Sequence, residues 1–222
     1  MISDSVNKTI KAVKANSKAA ILLWLFAAAI LLCYYKVTAL RPYFDIISFY
    51  KLKLGFLFSM ASTALFGALI PEVLKKVTGT RDGTESVKKT LYLTAVWAYK
   101  GLEVDALYRF QAYLFGSGNE MTVLLKKLAV DQLVYVPIWA VPSLVAMLLL
   151  PELNFNFKNW KSIISNGYYK TKVLPVMIPN WCIWAPSALM IYALPTSLQI
   201  LMQNLVLCFW VLIFTFMIRP KE

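Results

Sequence analysis

Lys100, Glu103, Asp105 and Arg109 sit close together in YKGLEVDALYRF, residues 99–110, inside a chain that is 59% hydrophobic. Two bases interleaved with two acids in such a setting either neutralise one another or line an aqueous route for ions or polar solutes. At 100° per residue Lys100, Glu103, Leu107 and Gln111 fall on one side of a helix, and Asp105 and Arg109 on nearly the opposite side. The spacing therefore offers two neutralising pairs, Lys100 with Glu103 at i,i+3 and Asp105 with Arg109 at i,i+4. Asp131 and Gln132 extend the set. Lys127 stands four residues before Asp131 and could neutralise it locally, or Asp131 could reach Arg109 or Lys100 across a bundle and form a charged constriction.

The residues point away from an enzyme. The chain has no histidine, and no nucleophile motif, phosphate loop or metal-ligand spacing is present. Cys33, Cys182 and Cys208 lie in apolar runs without a CxxC pattern and read as packing residues. No cofactor and no metal are implied.

A helix that carries such charges must be sheltered, and the composition says by what. A mean hydropathy of +0.62 with 15% charged residues leaves too little polar surface to cover a water-facing globule. Crossing about 30 Å of hydrocarbon takes about 20 apolar residues. By that ruler the segments 19–36, 54–74, 128–150, 173–194 and 197–218 read as spans, with 89–115 as a sixth that must carry the charged group. The expectation is an all-α, multi-pass transmembrane bundle of about six membrane helices. Pro137, Pro142, Pro175, Pro179, Pro186 and Pro195 kink its C-terminal spans.

The net charge of +12 is spread between the apolar blocks, which argues for a lipid bilayer and against nucleic acid as the partner. Its distribution puts both termini on the cytoplasmic or matrix side. Residues 1–18 place Ile2, Val6, Ile10 and Val13 on one stripe among lysines, the pattern of a helix lying in the headgroup layer. Residues 19–38 read as a retained N-terminal transmembrane helix and 39–222 as the bundle domain. The polar stretches 75–89 and 116–121 read as loops. Aromatic residues interleaved with lysine and asparagine over 152–172 predict a short amphipathic helix along the surface. Asn180, Gln199, Gln203 and Asn204 are neutral polar groups suited to holding helices together.

The motif DQLVYVP, Asp131 to Pro137, resembles the Asp-Gln-x4-Pro signature of the Mpv-seventeen / peroxisomal-membrane-protein-twenty-two family. FKNWKSI around Trp160, NWCIW at 180–184, and Pro195 followed by Trp210 are similar in kind and order to that family's C-terminal half. The resemblance runs from roughly Leu54 to Phe216 and makes the chain a divergent member, with 19–36 an addition. Of the family's Gly-Pro-x2-His-x-Trp-Tyr stretch only Gly101 and Tyr108 match. The resemblance carries over Gly101, Tyr108, Asp131, Gln132, Pro137, Asn180, Trp184, Pro195 and Trp210. It implies a weakly selective channel or facilitator for small solutes or ions, in a mitochondrial inner or peroxisomal membrane, and leaves homo-oligomer formation open. The alternative from the residues alone is a non-conducting scaffold whose charges are structural ion pairs.

Overall fold

The computed structural model of the chain describes residues 21–77 and 86–217, with side chains described to 208. The expected headgroup helix at 1–18 lies outside the described residues. All regular structure among the described residues is helical. In chain order the helices are α1 (Ile21–Lys36), α2 (Arg41–Leu54), α3 (Phe56–Val77) and α4 (Val87–Phe115). They continue with α5 (Met121–Glu152), α6 (Phe157–Ser165), α7 (Tyr169–Tyr192) and α8 (Thr196–Met217).

About six membrane helices were expected, and that number is corrected. Among the described residues three helices, α3, α5 and α7, are long and apolar enough to cross, or four if α1 and the segment Thr38–Leu54 form one broken span. Those two pieces meet at 94°. The bend follows from the chain: Val37 leaves the helix, Thr38–Leu40 forms a 3-10 turn, and Pro42 starts α2 where a missing N–H costs nothing. The run 39–53, between the expected spans 19–36 and 54–74, is thus mostly helix. α4 is long enough at 29 residues, but Lys88, Lys89, Lys100, Glu103, Asp105 and Arg109 make it too charged for a lipid-facing span. The described apolar part of α8, Thr196–Cys208, is short.

Gly55 makes the turn from α2 into α3 with φ of +57°, a conformation a side chain would strain. α3 lies closely against α4, where Gly101 leaves room for the backbone at Ser59. α5 is π-helical from Asp131 to Ala140 around Pro137. The ring would clash with the carbonyl four residues back in a regular α-helix, and the wider turn relieves it. α6 is the surface helix expected within 152–172; Asn156 caps it by accepting from the Asn159 amide at 3.1 Å. Trp160 roots it by donating to the Ala146 carbonyl at 2.7 Å.

The polarity of the bundle is inverted relative to a water-soluble fold. Leu57, Leu133, Ile138 and Val176 are exposed, whereas Lys51, Lys100, Asp105, Lys127, Asp131 and Gln132 are buried. That arrangement suits lipid as the outer solvent. The main apolar core joins Leu23 and Ala27 of α1, Ile183 and Ile191 of α7, and Leu198, Met202 and Val206 of α8. The chain is a helical, multi-pass membrane protein with charged residues in its interior.

Candidate functional site

α4 carries the interior charges on two faces, as its spacing requires. On one face the Lys100 ammonium donates to Glu103 Oε1 at 2.9 Å, to Ser143 Oγ at 2.7 Å and to the Ala140 carbonyl at 3.3 Å. The Tyr135 hydroxyl donates to the same Glu103 carboxylate. The Lys100 partners on α5 come from the end of the π-helical stretch and just beyond it. Carbonyls there also accept from α7, Gln132 O from Trp181 Nε1 at 2.9 Å and Pro137 O from Tyr169 at 3.1 Å. Backbone loosened by proline is met by side chains of neighbouring helices.

On the opposite face Asp105 is 1% exposed and sits between three donors. Lys51 Nζ reaches Oδ2 at 2.5 Å, Ser59 Oγ donates to the same oxygen at 2.9 Å, and Arg109 Nε reaches Oδ1 at 3.3 Å. Both expected pairs along the helix form, but Arg109 is the weaker partner. Its side chain is 45% exposed and its guanidinium lies 4.7 Å from the Phe56 ring centroid. Lys51, which lies outside the expected spans, is the main counter-ion. The bend before α2 turns the stripe Phe44, Ile47, Ser48 and Lys51 inward, and Ser48 Oγ donates to Ser197 Oγ on α8.

Asp131 joins neither group, and each pairing expected for it is corrected. Among the described residues it has no cationic partner: Lys127, Lys100 and Arg109 are all outside ion-pair distance. Its Oδ2 accepts instead from the Tyr192 hydroxyl at 2.8 Å, and the Tyr192 ring meets Tyr108 edge-on at 5.5 Å. One turn before Asp131, Lys127 is 1% exposed, and Gln111 Nε2 donates to its carbonyl at 3.2 Å. The amide oxygens of Gln111, Gln132 and Gln203 are buried without a hydrogen-bond partner. The polar groups of α4 from Lys100 to Gln111 thus span roughly 16 Å, about half the hydrocarbon thickness.

The remaining resemblance-derived positions are structural in their surroundings. Gly101 allows a close helix approach, Trp184 packs on the main core, and Pro195 lies in the break between α7 and α8. Asn180 is half-buried on α7, and Trp210 falls on α8 where side chains are not described. Asn204 ties α8 to α3, accepting from Thr63 Oγ1 at 2.8 Å and donating to Ser62 Oγ at 2.9 Å. Such neutral contacts hold membrane helices together. Gln199 of α8 donates to the Leu194 carbonyl at 2.9 Å, in the break that follows α7.

Tyr192→Phe removes the hydroxyl donor from a buried carboxyl group. Its expected cost is about 1–3 kcal/mol, read from unfolding of purified protein in mixed detergent micelles. Tyr108→Phe, which removes no protein hydrogen bond among the described residues, should cost less; an equal loss would rule out the Tyr192 bond as the cause.

Among the described residues no group of His, Cys, Asp and Glu is placed to hold a metal ion. No family model, curated protein or solved structure matches the chain.

Proposed function

We propose that the chain is an integral-membrane facilitator for small polar solutes or ions, with a route that follows the face of α4 carrying Lys100, Glu103 and Gln111. The observation that carries this reading is the set of buried side-chain amide oxygens without a protein partner, on Gln111, Gln132 and Gln203. Fully paired charges need no water, but orphaned acceptors inside a bundle call for water or a solute. The resemblance of DQLVYVP and the C-terminal motifs to a family of small-solute channels points the same way. It also supports placement in a mitochondrial inner or peroxisomal membrane.

The test is flux. Purified chain in liposomes should speed osmotic swelling in small polyols or carry current across a planar bilayer, and Asp131→Asn should alter the rate or selectivity. Leak equal to that of protein-free vesicles would end the reading.

A non-conducting scaffold is the second reading, and the tight pairing of Lys51 with Asp105 and Lys100 with Glu103 favours it. Charges that serve only to fix helix positions can be exchanged in pairs for apolar residues without loss. A scaffold would keep its partners and pass no solute.

A further inference from the structure

The start of α4 and the turn that follows α5 enclose a cavity of about 350 Å³, lined by Ser86, Lys88, Lys89, Glu152, Asn154 and Phe155. Its lining is rich in donors. Lys89 donates to Glu152 Oε1 at 3.2 Å, so the single carboxylate offsets one of the two lysines. The Lys88 ammonium has no anion beside it among the described residues and stands 4.2 Å from the Phe155 ring centroid. The Asn154 side-chain amide makes no hydrogen bond among the described residues. Ser86 Oγ accepts from the Lys89 amide at 3.2 Å and still has a proton to donate.

The wall opposite the lysines is held in an unusual shape. Asn154 and Phe155 have φ of 50° and 60°, left-handed at two successive residues that are not glycine. Phe155 bears that strain because its surroundings fix it. Its amide donates to the Leu150 carbonyl at 2.9 Å, and its ring meets Tyr92 edge-on at 5.3 Å. The cavity also stands at the level of lipid headgroups. The apolar run of α5, a helix long enough to cross, ends at Leu150, and the surface helix α6 begins at Phe157. Leu91, one turn along α4 from Lys88, is 66% exposed and offers an apolar track leading away from the cavity.

We propose that this cavity binds a phosphate group, presented by an anionic phospholipid whose headgroup enters it and whose acyl chain lies along Leu91. A phosphate brings acceptor oxygens to Lys88, Asn154 and Ser86, and its charge makes those contacts strong. It offsets the lysine that Glu152 does not. A choline headgroup carries its own cation into a lining that is already positive and gains less. The inference is independent of the facilitator reading.

The test follows thermal unfolding of the full chain in a mild neutral detergent as lipid is added to the micelles. Dioleoyl phosphatidylglycerol should raise the melting temperature by several degrees, and dioleoyl phosphatidylcholine by much less. Lys88→Gln should raise the amount of phosphatidylglycerol needed for half the effect about tenfold, as loss of one charged contact does. Asn154→Gly, which keeps the left-handed turn, should act in the same direction by less, and Lys88→Arg should keep the effect. Lys158→Gln combined with Lys161→Gln removes two charges of α6 outside the cavity and should change the lipid effect far less. An equal loss in that α6 variant would overturn the proposal, because a generally basic surface would then suffice. So would equal stabilisation by the two lipids. Glycerol phosphate and inorganic phosphate form the soluble arm. A Lys88-dependent shift with either, as large as that with lipid, keeps the phosphate site and makes a soluble ester or ion its source; a shift with phosphatidylglycerol alone makes the bilayer its source. No response to any of the three phosphates ends the proposal.

Discussion

Asp105→Ala should destabilise the protein by about 3–5 kcal/mol, the range for leaving one partner of a buried ion pair uncompensated. Asp105 accepts from Lys51 at 2.5 Å, Ser59 at 2.9 Å and Arg109 at 3.3 Å, and removing it strands all three. Arg109 is half exposed and turns to water. Lys51 is 2% exposed and keeps only the Gly55 carbonyl at 3.2 Å. Lys51→Met should cost less, because Asp105 retains Ser59 and Arg109. Their combination, Lys51→Met with Asp105→Leu, should recover much of the loss, since an apolar pair replaces two desolvated charges. Equilibrium unfolding in mixed micelles measures the cycle. Strictly additive single losses would mean that the two residues do not act as a pair.

What the sequence made legible is what lies along one helix or at its ends. The Lys100–Glu103 and Asp105–Arg109 contacts follow from spacing on α4 alone. The surface helix α6 was legible from Asn156 ahead of an aromatic and lysine run. Contacts set by bends were hidden. Lys51 falls between the expected spans 19–36 and 54–74, where Arg41, Asp45 and Lys53 break the hydropathy. The inward stripe of Phe44, Ile47, Ser48 and Lys51 held the signal that would have found it. The span count failed for a related reason. A hydropathy window tallies apolar residues without registering the turn after Lys36 or the charge load of α4. Asp131 stands one regular helical turn after Lys127, its amide bonded to the Lys127 carbonyl, so spacing alone offers a local pair, whereas its partner Tyr192 is far away in sequence and no spacing along α5 points to it.

The second large effect is expected at Gly101, where the same principle of shared partners extends to three helices. A Cβ there would stand 2.3 Å from the Ser59 carbonyl oxygen and 2.6 Å from Thr63 Oγ1. The first of these is backbone and cannot rotate away, so Gly101→Ala forces α3 and α4 apart. Overpacking of this kind costs about 1–3 kcal/mol, and here the displacement also pulls on two polar contacts. Ser59 Oγ holds Asp105, and Thr63 Oγ1 holds Asn204 of α8. The total for Gly101→Ala is therefore expected at the top of that range, about 3 kcal/mol. Gly118→Ala is the control. Its Cβ would meet the carboxylate end of the Glu120 side chain, which can swing away, so its cost should be smaller. If α3, α4 and α8 are coupled through Asp105 and Asn204, Gly101→Ala combined with Asp105→Ala should cost clearly less than the sum of the two. Additivity would instead place the strain in the helix contact alone.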